Sequence, residues 1–382
     1  MDSPQVQVLC SEYLDALLCG APEERLEALR ERHASLSVAE WQVWLQHVQD
    51  ADAVMYVREH LSAHPEVIFM PAEVLEVLEQ KHKRIQTRLA YMLEEFQKLV
   101  RALGEKRISC IFLKGVYLSQ AVYKSVTQRP FRDIDILCRP CDVKSVMETA
   151  YGLGYGPPPP KLQHWLERCY FEVPVVHCAD RTHFLLDIHW HLAPSHRYRI
   201  DLGGVWQRSV PWQGEALRVL CPEDLLLHLA LHAAKSYFAL PWTRWDDFAQ
   251  VLRTLPVDVD VLTARAEKWR MRTVLYTALR MAALWTPDTV LDKVLDRYPI
   301  SPFRKAALEK WIVCDSKRTR SSWKHIEAVP RLRKELVNVL VCDHPLASLG
   351  AEFPRFCKWL RYGSEPRGEV QRWRKTWPGL AG

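Results

Sequence analysis

The sequence predicts an α+β fold, a small mixed sheet set between helical regions at either end of the chain. Three observations carry this prediction. An apolar stripe at alternating steps of four and three runs up to Gly104; two short runs, ISCIFL and DIDILC, then break that period and read as strands with helical segments after each; and beyond Pro222 the helical period returns.

Taking the elements in order, residues 1–66 read as several helices, around Glu12–Leu18 and Pro22–His33. Ser37 is then an N-cap for VAEWQVWLQHVQDADAVMYVREHL, with Glu40 completing a capping box. A long helix follows from Pro71 to Gly104, its stripe formed by Ile85, Leu89, Met92, Phe96, Leu99 and Leu103, with the glycine as its stop. Next come a strand over Ile108–Leu113, a helix over GVYLSQAVYKSV, a strand over Asp133–Cys138 and a helix over DVKSVMETAYGLGY, together a βαβα run. The PPPP stretch is an extended link to helical KLQHWLERC. YFEVPVVHC and HFLLDIHWHL read as strands added antiparallel to the sheet. ALRVL is a last strand, Pro222 opens a helix through Tyr237, TRWDDFAQVLRTL makes another, and helical patterns continue to about Leu360. The chain therefore divides into an N-terminal helical region 1–70, a sheet-bearing core 71–215, a C-terminal helical domain 216–360 and a basic tail 361–382.

Composition narrows the class. With 382 residues, 48% apolar and 26% charged, the chain can bury a core without disulfides or a structural metal. Its 11 cysteines are odd in number and irregular in spacing, which fits a reducing compartment. The N-terminus carries acids where a secretory leader needs bases. The most apolar window, Leu225–Trp242, contains two histidines and a lysine, so a cytoplasmic location without a membrane span is expected. Residues 301–382 hold 17 Lys and Arg against 8 Asp and Glu, a solvated basic face or a landing site for an anionic partner.

The chemistry concentrates in DIDIL. Alternation along a strand puts Asp133 and Asp135 on one face and Ile134 and Ile136 on the other. Two carboxylates held together repel and lose hydration unless a divalent cation, an arginine or a shared proton compensates; Mg²⁺ with its preference for carboxylate and phosphate oxygens is the simplest choice. In HFLLDIHWHL the same alternation groups Asp187 with His189 and His191. A third acid is thus available for two-metal phosphoryl or nucleotidyl transfer. At Lys114-Gly115 the first strand feeds the next helix, and glycine would let backbone N–H groups approach a phosphate.

The order and spacing of LKG, R-x-x-x-D-I-D-I-L, L-D-I-H-W, PEDLLLHLALHAAK and TRWDDFAQVL over roughly residues 80–255 resembles the uncharacterised nucleotidyltransferase family of the polymerase-β-like superfamily. The resemblance implies a polymerase-β-like sheet and Mg²⁺-dependent transfer of a nucleoside monophosphate from a nucleoside triphosphate, with ATP the expected donor and two ions the expected number. It implies Asp133, Asp135 and Asp187 as metal-holding catalytic acids, and Lys114 and Gly115 at the nucleotide phosphates. Arg129 is a further candidate phosphate contact, with His189, His191 and Arg132 as supports behind the acids. The acceptor would be a small molecule, a peptide or a protein side chain, with an RNA end less favoured. The superfamily's Gly-Ser turn is here Gly115-Val116, which removes a hydroxyl from the phosphate grip.

Other readings stand beside this one. Arg129 or Arg132 could pair with the two aspartates in a purely structural site. Asp187 could be an ordinary strand acid, with Glu172 or Asp180 in its place. His177, His183, His189 and His191 could hold zinc, in a hydrolase. His228 and His232 read as core histidines, Asp246 and Asp247 as helix-start acids, and the lone Cys138-Arg-Pro-Cys141 as neither zinc site nor redox pair. A non-catalytic protein on the same fold, regulating a toxin-like partner, is the rival from another class.

Overall fold

In the computed structural model the described residues are 3–19, 23–64, 70–179, 182–193, 197–213, 217–286, 289–298, 300–313 and 331–343. Four helices begin the chain: α1 Ser3–Cys19, α2 Glu23–Ala34, α3 Val38–Asp50 and α4 Val54–Ala63. Ser37 caps α3 as predicted, its side chain accepting from the Glu40 N–H while Glu40 reaches back to the Ser37 N–H. These helices pack around buried Tyr13, Trp41 and Trp44. The single helix expected after Ser37 is in fact two. Asp52 takes a left-handed conformation, φ 57°, which aspartate tolerates better than most residues, and the chain turns there before restarting as α4.

Helix α5, Ala72–Glu105, carries the predicted stripe. Leu89, Met92, Phe96, Leu99 and Leu103 are buried in the main apolar cluster, and Ile85 packs against it. Gly104 lies inside the helix, and the left-handed residue that ends it is Arg107, φ 54°, so the glycine is not the stop.

The sheet has six strands: β1 Cys110–Phe112, β2 Asp133–Leu137, β3 Glu172–Ala179, β4 Thr182–His189, β5 Val210–Pro211 and β6 Leu217–Val219. Their order is β3-β4-β2-β1-β6-β5. The expected βαβα run would make β1 and β2 parallel, but they pair antiparallel. The helix expected between them shrinks to residues 116–122, ending in a π-type turn over Leu118–Val122, too little to carry a full crossover. β3 and β4 form an antiparallel hairpin, while β4 joins β2 in parallel and β6 joins β1 in parallel. α6 Val143–Gly152 and α7 Pro160–Cys169 lie between β2 and β3, and Pro160 of the PPPP link starts α7. The result is the mixed α+β architecture that the sequence predicted.

After the short α8, Leu202–Arg208, the chain returns to helices: α9 Pro222–Lys235, α10 Trp242–Thr254, α11 Val259–Lys268, α12 Arg272–Trp285, α13 Thr289–Asp296, α14 Pro302–Leu308 and α15 Arg331–Leu340. α9 and α12 are buried along almost their whole length, which makes them the spine of this half. The residues 361–382 read as a basic tail lie outside the described residues, as does most of the basic excess. Among the described residues no helix is long and apolar enough to cross a membrane.

Candidate active site

The acids stand where strand alternation put them. Ile134 and Ile136 are fully buried in the core, and Asp133 and Asp135 share the opposite face of β2. The parallel register aligns Asp187 of β4 with Asp135 and His189 with Leu137. Ligand atoms of Asp135, Asp187 and His189 lie within 4.8 Å of one another, the one group of acids and histidines among the described residues close enough to share a cation. Asp133 stands one alternation earlier on the same face.

The nearest compensating charge is a lysine. Lys114 Nζ lies 3.2 Å from Asp135 Oδ2 and 3.6 Å from Asp133 Oδ2. Burial opposes the charge on Lys114, yet Asp133, Asp135 and Asp187 together hold its pKa above the ordinary value. The arginine pairing weighed from the sequence does not occur. Arg129 makes a two-pronged bond to Asp247, at 2.7 and 2.8 Å, and Arg132 pairs with Asp52 at 3.0 Å.

His189 is a bridge. Its Nε2 is 3.3 Å from Asp135 Oδ1 and its Nδ1 3.1 Å from Glu172 Oε2, and Lys235 Nζ is 2.6 Å from the other Glu172 oxygen. Glu172 and Asp135, one beside each ring nitrogen, raise its pKa against the burial that would lower it. His189 therefore stands between two carboxylates as well as within the group that could share a cation. Lys114, Asp135, His189, Glu172 and Lys235 thus form a continuous chain of basic and acidic groups.

The two facing aspartates differ sharply. Burial would raise both, but Lys114 and His189 hold the Asp135 carboxyl far below the usual range. For Asp187 the nearby His189 is outweighed. Burial, then Asp135, Glu172 and Asp133, push it up to about 7.

At Gly115 the backbone takes φ +48°, and a Cβ there would sit 3.2 Å from the Asp133 carbonyl oxygen. The glycine therefore lets the turn after β1 press against the start of β2, which sets Lys114 over the acids. The turn opens on a cleft of about 130 Å³ lined by Lys114, Gly115, Arg129, Arg132, Asp133, His232, Arg244 and Asp247 together with apolar side chains. That is smaller than the ~300 Å³ at the low end of pockets enclosing a whole small molecule, and its four fixed cations outnumber its two acids, so it suits the anionic end of a larger ligand.

The family model of the uncharacterised nucleotidyltransferases matches residues 37–287, well over half of the chain. The chain belongs to this family. It is a nucleotidyltransferase, and a nucleoside triphosphate is its substrate class. No curated protein and no solved structure matches it. The matched span of the nucleotidyltransferase begins at the capping box of α3 and so takes in Asp52, which binds both Arg132 and Arg244 at the rim of the cleft.

Several residues around this site were misread or missed in the sequence. Asp246 and Asp247 do not cap a helix start: Asp247 holds Arg129, and both accept from the Tyr123 hydroxyl. Asp52 comes from a helical region without any chemical signature. Arg244 had no distinguishing pattern, although the TRWDD segment containing it was singled out. The zinc reading fails on geometry: His191 lies past the end of β4 and accepts from the Ala193 N–H, and His177 pairs with Glu95 of α5. The side chain of His183 lies outside the described residues. Cys138 is buried and Cys141 exposed, both with free thiols.

Proposed function

We propose that the chain transfers a nucleoside monophosphate, with ATP as the donor, to a hydroxyl or phosphate of its acceptor, and releases pyrophosphate. The observation that carries this reading is the register of Asp135 and Asp187 on adjacent parallel strands, with Asp133 on the same face, beside a cationic cleft. The residues fit a pair of divalent ions. Asp135 Oδ2 is buried with the Lys114 ammonium 3.2 Å away but no aligned hydrogen bond, and the raised Asp187 carboxyl is a group that a cation would relieve. Asp133, Asp135 and Asp187 would hold Mg²⁺, which supplies neutralisation of the phosphate oxygens and activation of the acceptor oxygen.

The remaining roles fall to the chain's own groups. Lys114, Arg129, Arg132 and Arg244 draw the triphosphate into the cleft beside Gly115, and the fixed ion pairs to Asp247 and Asp52 keep the guanidiniums in place as it arrives. Asp187, the least stabilised carboxylate of the group, takes the proton of the acceptor hydroxyl. His189 keeps Asp135 and Glu172 from drifting apart.

The test is incubation of the full chain with Mg²⁺, host extract and ATP labelled at the α or the γ phosphate. Label from the α position alone reaches the product under this reading, and Asp135→Asn abolishes it. Transfer of γ label alone would make the chain a kinase. A second reading, a regulatory protein on the same fold without turnover, draws on Lys114, which already neutralises the acid pair, and on the missing hydroxyl after Gly115. It predicts that Asp133→Asn leaves the biological effect intact.

A further inference from the structure

Outside the acid-bearing strands, α9 turns one polar stripe toward the site. His228, His232 and Lys235 recur at steps of four and three, so they lie along one side of a helix that is otherwise largely apolar. Lys235 is tied to Glu172, and His232 lines the cleft beside Lys114, Gly115 and Asp133. His228 lies deeper, within the electrostatic reach of Lys114, Asp135 and His189. It is only 5% exposed, yet neither of its ring nitrogens has a hydrogen-bond partner.

Two buried histidines of the N-terminal helices are treated differently. His33, fully buried among α1 to α3, bonds the Leu29 carbonyl at 2.6 Å through Nδ1 and accepts from Trp44 Nε1 at 3.0 Å through Nε2. His47 bonds the Ser11 hydroxyl at 2.9 Å. A buried imidazole with both nitrogens idle destabilises the fold, and a phenylalanine would fill the same space without that loss. The partner His228 lacks is therefore one that arrives from outside.

Resting on the nucleotidyl-transfer reading, we propose that His228 is a substrate-contacting residue, its N–H donating to a non-bridging oxygen of the phosphate that is transferred, with His232 donating to the next phosphate along the cleft. The placement follows the chemistry: on the transfer reading the reacting phosphorus would lie by Asp135, on the side of α9 from which His228 acts on Lys114 and Asp135, and the departing phosphates would lie toward Gly115 and the arginines, beside His232. Burial, with Lys114 close by, lowers the pKa of both imidazoles and so disfavours their charged forms. They add donors to a site already holding Lys114, His189 and Lys235, without adding a fourth positive charge to be desolvated.

The experiment uses the full chain with Mg²⁺ and two probes, α,β-methylene-ATP and pyrophosphate, with affinity and thermal midpoint measured for each variant. His228→Phe is expected to keep or raise the midpoint, to weaken the methylene analogue by about tenfold or more, and to leave pyrophosphate within about twofold of the parent. His228→Gln, which retains a donor, holds the analogue within about threefold. Equal affinity of His228→Phe and parent for the analogue would overturn the inference alone. So would a glutamine variant as weak as the phenylalanine one, an equal loss for both probes, or a phenylalanine variant that fails to fold, since an unpartnered imidazole has nothing structural to lose. A folded parent chain that binds neither probe overturns the transfer reading and this inference with it.

Discussion

Replacing Asp187 by asparagine in metal-free protein removes a carboxylate that the fold holds at a disadvantage. Its pKa stands at about 7 against 3.8 for an unperturbed aspartate, because it is buried and faces Asp135, Glu172 and Asp133. A raised acid contributes stability that is complete below its unfolded pKa and is lost as pH rises through the folded value. The window here is therefore pH 4 to 7, with the loss complete above it. Three pKa units correspond to ~4 kcal/mol, and relaxation of neighbouring charges reduces this, so ~1–4 kcal/mol is expected. At pH 8 without metal, Asp187→Asn should then melt roughly 2–8 °C above the parent, and at pH 4 the two should coincide.

Added Mg²⁺ should reverse the order. Saturation at 100 times the dissociation constant adds about 2.7 kcal/mol to whichever chain binds it, and the asparagine variant has lost a ligand. Differential scanning fluorimetry at pH 4, 6 and 8, with EDTA or with Mg²⁺, reads all of this. The reasoning is refuted if the variant is no more stable than the parent at pH 8 in EDTA, or if Mg²⁺ raises both midpoints equally.

Gly115→Ala should lose ~1–2 kcal/mol by urea denaturation, from the left-handed backbone and a Cβ 3.2 Å from the Asp133 carbonyl, and Mg²⁺-nucleotide affinity should fall with it as Lys114 shifts off the acids. Asp247→Ala should lose ~3–5 kcal/mol, because Arg129, 6% exposed, is left as an unpaired buried cation. The double change Arg129→Met with Asp247→Leu should recover most of that stability and none of the nucleotide binding, measured by the same urea series and by fluorescence titration.

What the sequence revealed of this site was what a strand period can reveal. Alternation alone fixed Asp133 and Asp135 to one face and grouped Asp187 with His189, and the parallel register of β2 and β4 then made neighbours of the two groups. His191 fell out of the group because β4 ends at His189 and the chain bends. The arginine pairing that stood as an alternative does not form, because ion pairing depends on the loop path. Arg129 and Arg132 are closest to the aspartates in sequence, yet the loop bearing them is drawn away by Asp247 of α10 and by Asp52 of the N-terminal helices. No local pattern marks Asp52. Its role comes from a left-handed turn that broke an otherwise continuous helical period. His228 was legible as buried, but a sequence does not say whether a buried nitrogen has a partner.

On the proposed reading, the charges on this sheet face would couple metal and nucleotide to one another. Asp133, Asp135, Asp187 and Glu172 face Lys114, His189 and Lys235, so without ligands the face is close to neutral and Lys114 stands near where a metal would bind the pair. To leave the acids free for a divalent ion alone, Lys114 would have to move into a cleft already rich in arginine, at a cost in repulsion. A triphosphate arriving alone meets the acids. Were both to bind together, the polyanion would give Lys114 a new partner on the Gly115 side while the acids held the metal, so the lysine, counter-ion to the carboxylates here, would become counter-ion to phosphate. This arrangement needs an ammonium on a flexible stem; the guanidiniums of Arg129 and Arg132, fixed by Asp247 and Asp52, could not make the exchange.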